Sequence, residues 1–161
     1  MYRGQCKQGK ANYLISMNES MKLVLDKYGV DYKSLQATTL PLRLNRYIEN
    51  GIAKLKDANC YTYKNANGFE FFYSDCTGNE YSNNKVYVDT GQGIAKAMKI
   101  SLKFAFAIAE LLDDIPESFN VVTSYDGTDF VVSFYCNRDT EEWLLDDLDS
   151  YAEEAVFVIT T

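Results

Sequence analysis

The stretch from Gln92 to Asp113 constrains the fold of this chain more than any other. Lys96, Lys99 and Lys103 fall on one stripe at i, i+3 and i+7, and most other positions are Ile, Ala, Met, Leu or Phe. A helix that is apolar around so much of its circumference must be covered on several sides. The spacing therefore predicts a long buried helix as the centre of the core. Its three lysines exclude a membrane span. Gly91 and Gly93 before it and Pro116 after it are the breaks that isolate it.

Around this helix the chain reads as strands and shorter helices. Phe119–Tyr125 and Phe130–Tyr135 are strand-like and flank Asp126-Gly127, a strong hairpin signal. Ala155–Thr160 closes as a strand. Upstream, the aromatic runs at Tyr61–Tyr63 and Phe69–Tyr73, with a turn over Asn65–Gly68, and the alternating Lys85–Asp89 predict an antiparallel meander. Asn18 or Ser20 caps a helix that ends at Gly29. Pro41 starts a second helix reaching about Lys56, weakened at Gly51. Asp139 or Thr140 caps a third, amphipathic helix with Trp143, Leu144, Leu145 and Leu148 on its apolar side. The expectation is an α+β fold: an antiparallel sheet (meander plus hairpin) packed around a long apolar central helix, with two N-terminal helices and a C-terminal acidic helix and strand. At 161 residues and 47% apolar content, with only two prolines, one globular domain is expected. Residues 1–16 are polar and basic and read as a flexible tail, Met17 opens a stretch that looks more like a natural start, and 17–161 form the domain.

Charge is distributed unevenly. From Glu110 to Glu154 there are fourteen acids and one base, Arg138, a net −13; the remainder holds nine acids and fifteen bases, +6, which together give the −7 of the whole chain. Like charges at that density repel and lower folding stability, so they point either to a solvated face or to a basic partner. The same balance argues against direct binding of nucleic acid, which needs bases to displace phosphate counterions, and against binding an anionic membrane. The acids of the window expected to face a partner are Asp113, Asp114 and Glu117, together with Glu141, Glu142, Asp146, Asp147 and Asp149 on the polar side of the third helix.

Catalytic chemistry finds little footing. The chain has no histidine, which removes Ser–His and Cys–His nucleophile pairs. The D-D-x-D spacing at Asp146–Asp149 does not fit a calcium loop, and acids on an exposed helix face seldom serve as general acids or bases. Cys6, Cys60, Cys76 and Cys136 form no C-x-x-C pair and read as free, buried thiols with no zinc or other cofactor. The polar start lacks a secretory core segment, so a cytoplasmic protein is expected. Two weaker readings remain. The Gly91–Gly93 turn at a helix start is the place where a small anion- or nucleotide-binding domain or enzyme would hold its ligand. The Tyr- and Asn-rich segment Asn59–Tyr87 offers contact surface for a self-assembling phage or plasmid structural subunit.

The run Asn120–Thr160 (NVVTSYDGTDFVVSFYCNRDTEEWLLDDLDSYAEEAVFVIT) resembles the C-terminal part of small immunity proteins from bacterial polymorphic-toxin and contact-dependent growth inhibition systems. The shared traits are a strand hairpin, a Trp-bearing acidic segment and a closing strand, over about a quarter of the chain. The resemblance implies a non-enzymatic cytoplasmic inhibitor that binds one cognate toxin domain, often a basic nuclease. An acidic surface would steer such a partner quickly into place.

Overall fold

The computed structural model describes residues 1–66 and 68–161. The chain folds as α+β, and the described residues form a six-stranded antiparallel sheet, a separate two-stranded sheet and four α-helices. Among the described residues no helix is long and apolar enough to cross a membrane.

The chain opens with a hairpin. β1 (Tyr2–Gln8) pairs with β2 (Ala11–Met17), and β2 in turn pairs with the last strand through Leu14↔Thr160 to Met17↔Phe157. Residues 1–16, expected as a flexible tail, are therefore the edge of the main sheet. The alternation that marks them is real but quiet: Cys6, Tyr13, Ile15 and Met17 are buried, while Gln5, Lys7, Asn12 and the apolar Leu14 between them are exposed. α1 (Glu19–Tyr28) follows as expected. The Asn18 side chain accepts the Met21 amide, and Gly29 ends the helix at φ +61°, the left-handed conformation that glycine tolerates best.

α2 (Leu42–Asn50) starts after Pro41 but stops well short of Lys56. Gly51, at φ +80° and ψ −169°, turns the chain into β3 (Ile52–Lys54), which pairs with β4 (Tyr61–Tyr63) as the two-stranded sheet. The meander expected here does not form. Phe69–Tyr73 is not a strand, and Phe71 and Phe72 are exposed. Its backbone is held by two asparagine side chains: Asn79 bonds Tyr73 through both its N–H and its carbonyl, and Asn83 does the same at Glu70. The turn expected over Asn65–Gly68 includes Asn67, which lies outside the described residues.

Both asparagines belong to α3 (Cys76–Asn83), a helix that sequence patterning misses. Asp75 caps it by accepting the Gly78 amide. Its buried side includes Thr77, Asn79 and Glu80 in place of aliphatic residues, so it has no apolar period to read. β5 (Val86–Val88) then joins the main sheet as its other edge.

α4 (Ile94–Leu112) spans 19 residues and buries eleven of them. It lies against β5, against β6 (Phe119–Tyr125), β7 (Phe130–Cys136) and β8 (Ala155–Thr160), and against α2. The β6–β7 hairpin turns at Asp126-Gly127, where the Asp126 carboxylate accepts the Thr128 and Asp129 amides. The sheet order is β1-β2-β8-β6-β7-β5.

Strand periodicity divides the packing between two faces. Phe119, Val121, Phe130, Phe134, Phe157 and Ile159 join α4, α1 and α2 in the large apolar core. The alternate residues Val122, Tyr135, Val156 and Val158 face the other way and pack with Leu148, Trp143, Leu144, Tyr81 and Tyr151. That second face carries the acidic segment.

Candidate functional site

Residues 138–154 do not form the expected amphipathic helix. They run as an irregular strap across the second face of the sheet, with a bridge between Arg138 and Glu141 and one 3-10 turn at Leu148–Ser150. The reason lies in the side chains. Asp147 turns its carboxylate back onto the Asp149 amide, the local competition with the backbone that makes aspartate a poor helix interior residue. Glu141, expected in the first helical turn, is drawn away to Thr77. Leu148 and Trp143 are taken up by the sheet face and α3.

The strap is anchored at its first residue. Arg138, the sole base of the acidic window, pairs with Glu80 of α3 in a two-pronged contact, Nη1 to Oε2 at 2.9 Å and Nη2 to Oε1 at 2.7 Å. Glu80 is fully buried and also accepts the amides of Tyr61 at 2.8 Å and Cys136 at 2.7 Å. Arg138 spends its remaining donors on the Thr77 hydroxyl and the carbonyls of Asn59 and Cys136. Glu141 Oε2 accepts the Thr77 amide at 2.9 Å and its hydroxyl at 2.6 Å. Burial pushes the Glu141 carboxyl up, but the bonds from Thr77 and the charge of Arg138 outweigh it and hold the group below the usual carboxylate range. Beside this network Cys60 and Cys76 form a disulfide with their Cα atoms 5.3 Å apart, tying the start of β4 to the first residue of α3. The expectation of free thiols thus holds for Cys6 and Cys136 and fails for this pair, whose partners lie too far apart in sequence to be matched by spacing. Burial pushes the Cys136 thiol up to about 11, so it is not a reactive thiolate.

At its far end the strap is tied to the first residues of the chain. The amino terminus of Met1 bonds the Asp149 carboxylate, which also accepts the Glu19 amide at 2.7 Å, and Arg3 donates to the Asp146 carbonyl at 3.2 Å. These two bonds hold the Asp149 carboxyl below its usual range. Between strap and sheet lies an open cavity of about 360 Å³ bordered by Arg3, Asn120, Tyr135, Glu142, Trp143 and Asp146.

The eight acids expected to face a partner thus fall into different situations. Glu141, Asp147 and Asp149 are occupied locally, as described. Glu142 and Asp146 are exposed, and their carboxylates have neither a hydrogen bond nor an ion pair among the described residues; the same is true of Asp139, Glu153 and Glu154. Asp113 and Asp114 lie beyond the end of α4, on the opposite side of the sheet from the strap. Burial, with the charges of Asp113, Glu110 and Asp114, pushes the Tyr13 hydroxyl up to about 12. Glu117 sits near Tyr61, and its carboxyl is held low first by its own backbone amide and then by the Tyr61 hydroxyl. The fold therefore does not gather the eight into one patch. What the charge pattern missed is Trp143, packed at 5.0 Å on Tyr73 and 5.5 Å on Tyr81, and half-exposed Leu145 beside it. The signal that was available is Arg138: one base among fourteen acids invites the question of which acid it serves.

In the Gly91–Gly93 turn the Asp89 carboxylate accepts the Gly91 amide and the Thr90 carbonyl accepts the Gly93 amide, so these two amides are already engaged. Among the described residues no cluster of three or more His, Cys, Asp or Glu side chains is arranged to hold a metal ion.

Residues 16–161 match the model of the family described as "Uncharacterized protein PM0498 family", and the chain belongs to that family. No curated protein and no solved structure matches the chain.

Proposed function

We propose that this is a non-enzymatic binding protein that docks a basic protein partner through the acidic strap. The observation that carries the reading is the set of exposed carboxylates at Asp139, Glu142, Asp146, Glu153 and Glu154, without a partner among the described residues and held on a strap that is pinned at both ends. Anchoring matters because a pre-ordered acidic surface loses little conformational entropy on docking. Leu145, 56% exposed, and Trp143 beside it supply an apolar contact within the charged rim, the arrangement in which aromatic anchors contribute most to affinity. Asp113 and Asp114, on the other side of the sheet, are not part of this surface.

The resemblance of Asn120–Thr160 to immunity proteins makes a toxin domain, and a phosphate-binding nuclease in particular, the fitting partner. Neutralisation would follow from covering its basic substrate surface. A cytoplasmic location belongs to the same reading and carries a condition: in a reducing compartment Cys60 and Cys76 would be thiols.

The test is to co-express the chain with the product of the adjacent gene and measure association rates at several salt concentrations. Charge reversal at Glu142→Lys and Asp146→Lys is expected to slow association at low salt by about tenfold and to flatten its salt dependence. Unchanged rates in both variants would remove the strap from the interface.

A further inference from the structure

A second cavity lies away from the acidic strap. α2, the turn after β4 and the residues just before β5 enclose a cavity of about 450 Å³. Arg43 and Arg46 come from α2, Lys64 from the turn and Lys85 from the approach to β5. They are scattered over 43 residues of sequence, so no charge run betrays them. The fold brings them together because Gly51 reverses the chain and the β3–β4 hairpin returns Lys64 beside α2, fixed by its amide donating to the Gly51 carbonyl at 2.8 Å. None of the described residues lining the cavity is acidic. None of the four cations forms an ion pair among the described residues; Arg43 spends one donor on the Tyr87 carbonyl, and Lys85 lies over the Tyr81 ring.

Tyr63 backs the cavity, 3% exposed and packed on the rings of Tyr47 and Phe134, with its hydroxyl closed to solvent. Asn50 adds an amide group to the wall, whereas the Asn83 amide is committed to Glu70 and Asn79. The size lies within the range of small-molecule sites, roughly 300–1,000 Å³. Guanidinium and ammonium groups with no acidic partner among the described residues, and the Asn50 amide beside them, suit the oxygens of a phosphate group.

We propose that this cavity binds a small phosphate-bearing molecule, with Arg43, Arg46, Lys64 and Lys85 neutralising the phosphate. The site is independent of the strap and of any partner bound there.

The experiment is isothermal titration of the full chain with inorganic phosphate, pyrophosphate and adenosine monophosphate at matched ionic strength, alongside a single-stranded oligonucleotide. Binding of at least one of the three small probes, weakened about tenfold in Arg46→Glu and in Lys64→Glu and unaltered in Lys99→Glu, is the expected result. Lys99→Glu makes the same charge change on exposed α4 outside the cavity. Melting temperatures of the two cavity variants separate ligand contact from structure: Arg46 and Lys64 are both exposed, so each variant should melt close to the wild type while its binding is weakened. Three outcomes overturn the proposal: no heat with any small probe at millimolar concentration, equal losses in Lys99→Glu and in the cavity variants, or oligonucleotide binding that the mononucleotide does not compete.

Discussion

Removing Arg138 should be among the most damaging single changes in the molecule. Its guanidinium supplies both direct ionic contacts to a Glu80 carboxylate that is 0% exposed. In Arg138→Leu that carboxylate keeps only the amides of Tyr61 and Cys136, the Asn59 carbonyl loses its donor, and the Cys136 carbonyl is left with the Thr77 hydroxyl. Breaking a buried pair from one side costs about 3–5 kcal/mol, because the remaining charge is left uncompensated. Against a total stability of roughly 5–15 kcal/mol for a domain this is a large fraction. At about 2–4 °C per kcal/mol for this size the melting temperature should fall by about 6–20 °C. Urea denaturation followed by circular dichroism gives the free energy. The double variant Glu80→Gln/Arg138→Leu neutralises the stranded charge while keeping an oxygen for one of the two amides. It should be less damaged than the sum of the single losses, with a coupling above about 1 kcal/mol. A loss below about 1 kcal/mol in Arg138→Leu, or strict additivity in the double variant, would refute the claim that this ion pair anchors the strap.

Three further outcomes follow from the same architecture. Reducing Cys60–Cys76, which closes a loop with a sequence separation of 16, should lower stability by about 3 kcal/mol, seen as a lower urea midpoint with reductant present; an unchanged midpoint would show that the bond constrains little. Gly78→Ala places a methyl group 2.8 Å from a Trp143 ring carbon, so the sole tryptophan should shift, its emission moving to the red, with about 1–3 kcal/mol lost; wild-type emission would mean the ring moves aside freely. Acid should release the strap. The Glu141 and Asp149 carboxyls are both held below their ordinary values, so their contribution to stability is complete above those values and is lost as pH falls through the folded ones. Trp143 emission should stay flat down to about pH 5 and change below about pH 4; a transition centred near neutrality would exclude these carboxylates as its cause.

The parts legible in sequence are those where one local rule governs. The β6–β7 hairpin, β8, the caps of α1 and the start of α2 all emerge where turn chemistry, capping and apolar period agree. The failures share a cause: polar side chains doing structural work that periodicity does not register. α3 buries Glu80, Asn79 and Thr77, and thus carries the wrong composition for a helix that is covered on one side. The strap looks like an amphipathic helix because its leucines and acids have suitable spacing, yet Asp147 and Glu141 make bonds that unwind it. Phe69–Tyr73 has the aromatic content of a strand, but asparagine side chains from α3 satisfy its backbone in place of a neighbouring strand. For the site, the acidic window was visible as a count. Which of its members are free was not, because that depends on contacts as distant in sequence as Thr77 to Glu141 and Glu19 to Asp149. The basic cavity was hidden for the same reason.

The position of β8 has a consequence for how the molecule assembles. It alone joins β2 to β6, so without it the main sheet is two separate ribbons, β1–β2 and β6–β7–β5, each with an open edge. A chain that has organised everything up to residue 154 still exposes two rows of unpaired amides and carbonyls flanked by Ile15, Val121 and Thr123. Such edges recruit other chains when folding is slow, and pairing of Leu14 with Thr160 is about as non-local as this chain allows. Insertion of Ala155–Thr160 between two waiting edges is thus the step on which productive folding and aggregation compete, and conditions that hasten it should raise the yield of native protein.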